Sequence, residues 1–182
     1  PVAIPEFDDT ESMDITVGMA QTDLGPGLSL GPTGLDDGAE SMVNFFGIKA
    51  KGRKIVFVIE AARFMLTDPK GGIPAYDKVK EDIGRILDGM NKKTGFNIVL
   101  FEGKKIASFR DDVVEASPSN VRLAMEWFDP NNKKFEKIGI QDGYVTKPLK
   151  DGIEPIPVDH LAHYVKAVQR ALEMDLSTIF VM

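Results

Sequence analysis

Ile55-Val56-Phe57-Val58-Ile59 is an unbroken apolar run, closed by Glu60. A strand with one face in solvent alternates apolar and polar residues. A strand without alternation is covered on both faces, as in a parallel sheet between layers of helices. Phe96-Asn97-Ile98-Val99-Leu100-Phe101 and Ser177-Thr178-Ile179-Phe180-Val181-Met182 read the same way. Buried strands separated by helical stretches restrict the chain to an α/β sheet. In open sheets of this kind ligands bind beyond the carboxyl ends of central strands. The turn after Glu60 is therefore the first place to look for function.

The rest of the body fits that frame. Met42 to Ile48 reads as a strand and Lys51-Gly52 as a turn. Pro74 suits the first turn of a helix. Tyr76, Val79, Ile83, Ile86, Leu87 and Met90 then recur at three- and four-residue spacing, and Gly95 is expected to stop that helix. Glu102-Gly103-Lys104 turns the chain into an edge strand, residues 106–109, guarded by Lys104, Lys105 and Arg110. Ser117 caps a helix with Pro118 at its first position, and Val121, Ala124, Met125 and Phe128 face inward. Trp127-Phe128 reads as core, and Phe45-Phe46 as one ring in and one out. Residues 130–157 break the rhythm with Asn131-Asn132 and scattered Gly and Pro, an irregular insertion of the kind that serves partners. Asp159 is expected to cap a last helix with Leu161, Val165, Val168 and Leu172 inward. The expected fold is α/β: a doubly wound, mostly parallel, Rossmann-like sheet flanked by helices, with an edge hairpin and an extended N-terminal arm. The arm covers residues 1–41 and the domain residues 42–182.

Charge separates these two parts. Residues 1–44 hold nine acidic residues and no Lys or Arg, although the chain as a whole has a net charge of only -6. An acidic arm on a mildly basic body suits docking on a basic protein surface, with a solvated tail as the alternative. It disfavours nucleic acid, whose phosphates repel it. The arm carries spaced apolar anchors, and Ile4, Phe7, Met19 and Leu24 are expected to insert into grooves of a second copy or another subunit. No cysteine is present and no apolar run approaches a membrane span. The turn after the first buried strand has no Gly before Gly71, so no phosphate-binding loop opens there. No Gly-x-Ser-x-Gly elbow occurs, and the two histidines, His160 and His163, lie three apart with no triad around them. Enzymatic activity is not expected.

Several stretches together resemble the von Willebrand factor A domain of bacterial type. They are Asn44 to Gly52, Ile55 to Glu60, Val79 to Ile83, Phe96 to Phe101, Ala116 to Trp127 and Leu172 to Met182. The resemblance implies a metal-ion-dependent adhesion site built from Asp-x-Ser-x-Ser, a Thr from a later loop and the Asp of Thr-Asp-Gly. Here the first motif reads Glu60-Ala61-Ala62-Arg63-Phe64, so Ala62 and Phe64 stand where the serines belong. Glu154-Pro155-Ile156-Pro157 stands roughly where the family has Gly-Gly-Thr. Hard Mg²⁺ needs near-octahedral oxygen ligands, and this motif supplies one carboxylate beside an arginine. The expectation is a degenerate site, Glu60, Ala62, Arg63 and Phe64, without metal or other cofactor, in which Glu60 could pair with Arg63. The chain is then a non-catalytic protein-binding or scaffold module within a larger assembly. The second reading is a metal-dependent adhesion domain with an atypical site, in which Glu60 binds Mg²⁺. The resemblance also implies that the chain continues past Met182 towards Thr-Asp-Gly. It implies a place at the cell envelope through an anchor outside these residues, with a cytoplasmic location as the alternative.

Overall fold

The unbroken apolar run forms the middle of the sheet. A computed structural model describes residues 40–103, 105–142, 144 and 163–182. The strands are β1 (Ser41–Phe45), β2 (Ile48–Gly52), β3 (Lys54–Glu60), β4 (Gly95–Glu102), β5 (Lys105–Ser108), β6 (Val114–Glu115) and β7 (Thr178–Val181). The helices are α1 (Gly72–Gly89), α2 (Pro118–Phe128) and α3 (His163–Leu172), and two short 3-10 turns, Arg63–Leu66 and Asp68–Lys70, follow β3. All of them fall within one compact unit, residues 36–182.

Five strands form a mostly parallel sheet in the order β5-β4-β3-β7, with β6 on the same side of β4 as β5. Phe57 of β3 lies opposite Ile98 of β4 and Phe180 of β7, both in parallel register. β5 and β6 run antiparallel to β4. Alternate side chains feed two cores. Ile55, Phe57, Ile59, Ile98 and Leu100 pack with α1, α2 and β1, whereas Val56, Val58, Val99 and Phe101 pack with Ala167, Ala171 and Met174 on the α3 side. Helices on both faces are the physical reason the strand sequences do not alternate.

Asn97 is the polar interruption in β4, and it is fully buried. Its amide donates to the carbonyls of Arg110 and Asp112, both at 2.9 Å, and its oxygen accepts from Arg110 N at 3.2 Å. The side chain thereby pins the link between β5 and β6. Ser117 caps α2 by accepting from Asn120 N at 3.3 Å, with Pro118 at the first helical position.

Five expectations need correction. Met42 to Ile48 is not one strand: β1 and β2 form an antiparallel hairpin closed by Phe46-Gly47, with Phe45 opposite Ile48. Both turn residues have positive φ, 47° at Phe46 and 87° at Gly47, as a tight twisted hairpin requires. Asn or Gly fits the first position, and holding Phe there costs about 1–2 kcal/mol. Phe45 is nonetheless buried and Phe46 exposed, one in and one out. Gly52 is no turn; it ends β2, where a Cβ would come within 2.6 Å of the Ser177 and Thr178 hydroxyls.

Gly95 does not stop α1, which ends at Gly89; Gly95 opens β4 instead. On α3 the buried residues include Ala167 and Ala171, and Leu172 is 58% exposed. Two alanines let the helix approach the valine-rich sheet face closely, and that rotation leaves Leu172 outside. The last strand is not covered throughout either: among the described residues β7 has a strand on one side only, and Val181 is exposed. Asp159, His160 and Leu161 lie outside the described residues, as do residues 145–157 of the insertion.

Candidate functional site

Glu60 ends β3 at the carboxyl edge of the sheet, and the backbone there is tied to both neighbours. Glu60 N donates to Met182 O at 2.8 Å, and Ala61 N donates to Phe101 O at 2.8 Å. Ala61 is buried and Ala62 half-buried, and the 3-10 turn that follows exposes Arg63 and Phe64. The four residues Glu60, Ala62, Arg63 and Phe64 are thus together by sequence adjacency. Their expected internal pairing is not formed. Among the described residues no ion pair joins Glu60 to Arg63; the cation acting on Glu60 is Lys70. The short helical turn carries Arg63 outward, whereas the second turn returns Lys70, whose ammonium sits 4.7 Å from the centre of the Phe64 ring.

Glu60 is half-buried, and that burial raises its carboxyl above the ordinary value, partly offset by Lys70. A carboxyl whose folded value is raised holds its proton more tightly when folded. Stability then falls as pH rises from the unfolded value through the folded one. Glu60→Gln is therefore expected to be more stable than the parent at neutral pH, with the difference vanishing below about pH 4. Urea titrations at a series of pH values check this. A variant that loses stability at neutral pH would show that the carboxylate is needed for the fold.

The sequence did not single out what closes this end of the sheet. After α2 the chain folds across the ends of β3 and β4, and its side-chain amides occupy the backbone there. Asn132 is fully buried. It donates from Nδ2 to Ala61 O at 3.0 Å and accepts from Gly139 N at 2.7 Å. Asn131, also buried, donates to Gly139 O at 2.9 Å and accepts the Tyr76 hydroxyl at 2.8 Å. Burial drives the Tyr76 phenol well above its ordinary value, so it remains a donor. Glu102, at the end of β4, accepts Ile140 N at 2.6 Å, and Lys105 donates to Ile140 O at 3.1 Å. Gly139 is required where it stands: its φ is 82°, and a Cβ would overlap the Glu102 carboxylate. Tyr144 closes the segment by donating to Trp127 O at 2.9 Å. One signal was available, since Asn132 adopts φ of 54° and Asn is among the few residues that enter that region readily.

The donor chemistry does not fit a hard divalent cation. Ala62 and Phe64 offer no side-chain oxygen, and the nearby Glu102 carboxylate is already engaged by the loop backbone. Among the described residues no three His, Cys, Asp or Glu side chains converge as metal ligands. His163 opens α3, while Ile4, Phe7, Met19 and Leu24 of the arm lie outside the described residues. Among the described residues no helix is long and apolar enough to cross a membrane. No protein-family model matches the chain, and no curated protein matches it.

Proposed function

We propose that this protein is a non-catalytic protein-binding module with a von Willebrand factor A-like fold whose metal site has been replaced by its own loop. The observation that carries the reading is the Asn132 side chain on Ala61 O, where an open site would need space for ion and ligand. The central position of β3, the acidic residue at its carboxyl end and helices on both sheet faces support the likeness to that family. With the strand ends closed, binding falls to outer surfaces: the acidic arm, the insertion and the exposed Phe64 beside Lys70. A place at the cell envelope, through an anchor outside residues 1–182, accompanies this reading.

The rival reading, a metal-dependent adhesion domain using Glu60, makes an opposite calorimetric prediction. Titration with Mg²⁺ or Mn²⁺ is expected to give no saturable heat up to about 1 mM, because one carboxylate is too few ligands. Submillimolar binding that disappears in Glu60→Ala would establish the metal site and sink the scaffold reading.

A further inference from the structure

Five consecutive residues, Lys133 to Lys137, are exposed between two buried anchors. Asn131 and Asn132 precede them, Gly139 and Ile140 follow, and all four are buried. Asn131 donates to Gly139 O at 2.9 Å and Asn132 accepts Gly139 N at 2.7 Å, so the lobe is clamped at its base. Within it, Lys137 N donates to Lys134 O at 2.9 Å and closes a turn. Phe135 stands on that turn, 67% exposed, the most exposed aromatic ring among the described residues. Folding gains nothing from a ring held in water on a clamped lobe.

A solitary exposed apolar residue needs no explanation, but this one has a counterpart. Phe64, 48% exposed, lies on the 3-10 turn after β3, with the Lys70 ammonium over its ring. Asn132 ties the two together. Its amide donates to Ala61 O at 3.0 Å, three residues before Phe64, and it stands itself three residues before Phe135. Ile140, at the far end of the lobe, is held by Glu102 at the end of β4. Both rings are therefore displayed from the carboxyl end of the sheet.

The charges beside the rings identify the partner. The two loops carry Arg63, Lys70, Lys133, Lys134 and Lys137 against Asp68, Asp129 and Glu136, and Asp129 is paired with Lys133. Protein interfaces favour Arg and are depleted in Lys, the reverse of this mixture. Lysines around displayed aromatic rings suit a bilayer with anionic headgroups. The negative surface potential attracts each ammonium, the rings enter the boundary between headgroups and acyl chains, and the long lysine stems keep the charge at headgroup level. We propose that this end of the sheet docks on an anionic lipid surface, with Phe135 and Phe64 entering the interface and Lys134 and Lys137 meeting headgroup phosphates. This goes beyond the protein-binding reading and does not depend on it.

Co-sedimentation of the full chain with vesicles tests it. The parent is expected to bind vesicles of about 30% phosphatidylglycerol in phosphatidylcholine, to ignore pure phosphatidylcholine, and to dissociate as salt rises. Phe135→Ser is expected to weaken binding about tenfold. Lys134→Gln combined with Lys137→Gln is expected to weaken it about thirtyfold. Melting temperatures should not change, because all three side chains are exposed, which separates docking from folding. No sedimentation with the anionic vesicles overturns the proposal, as does binding that neither variant weakens, or equal binding to pure phosphatidylcholine. Retention on immobilised poly-aspartate through the same residues, without vesicle binding, also overturns it, since the surface then takes an acidic protein. Saturable Mg²⁺ binding at Glu60 would overturn the broader reading while leaving the vesicle result standing.

Discussion

Asn132→Ala is expected to lower the unfolding free energy by about 3–4 kcal/mol. The side chain makes two buried hydrogen bonds, to Ala61 O and from Gly139 N. Leaving such partners unsatisfied costs about 1–3 kcal/mol each. A further 1 kcal/mol or so arises because alanine tolerates φ of 54° less well than asparagine. Asn132→Gly removes the same bonds but accepts that φ, so it should be about 1 kcal/mol milder. Urea unfolding gives both numbers, and hydrogen exchange at Gly139 should accelerate in each variant. A loss under about 1 kcal/mol in both would mean that this loop does not hold the end of β3 closed.

Phe57→Ala is expected to cost about 3–5 kcal/mol, the range for removing a fully buried aromatic ring. Phe57 is completely buried at the centre of the sheet. Its ring stacks on Phe180 at 5.5 Å and meets Phe45 edge-on at 5.5 Å. One substitution therefore loosens β3, the outer strand β7 and the hairpin together. Against a typical total of about 5–15 kcal/mol, the variant approaches unfolding at moderate temperature. Phe57→Leu, which keeps most of the volume, should cost under about 2 kcal/mol. Thermal and urea unfolding check both; a loss near 1 kcal/mol for alanine would show that neighbours collapse into the cavity.

The fold was legible where burial alone decides conformation. The runs at residues 55–59 and 96–101 are covered on both faces because helices lie on both, and Ser117-Pro118 opens α2 through a local cap. It was less legible where a long-range contact decides. Nothing local shows that Gly52 must admit the Ser177 and Thr178 hydroxyls, or that α3 turns its alanines inward. The hairpin was hidden because Phe46 contradicts the turn it occupies. At the candidate site, it could be read directly from the sequence that Ala62 and Phe64 offer no side-chain oxygen. The loop that closes this end of the sheet could not, since Asn131 and Asn132 act through distant backbone at Ala61 and Gly139.

The strand order also governs how the molecule can be assembled in time. β3 finds β4 across a single helix, but its other neighbour arrives late: Lys54 and Ser177 meet across 123 residues of sequence. Closing a loop of that length costs about 1 kcal/mol more than closing the short crossover. β3, β4 and α1 therefore form the natural folding nucleus, with β7 docking last. Until it does, one side of the apolar strand β3 stays bare. Refolding yield should then fall with protein concentration more steeply than the size of the domain alone would suggest.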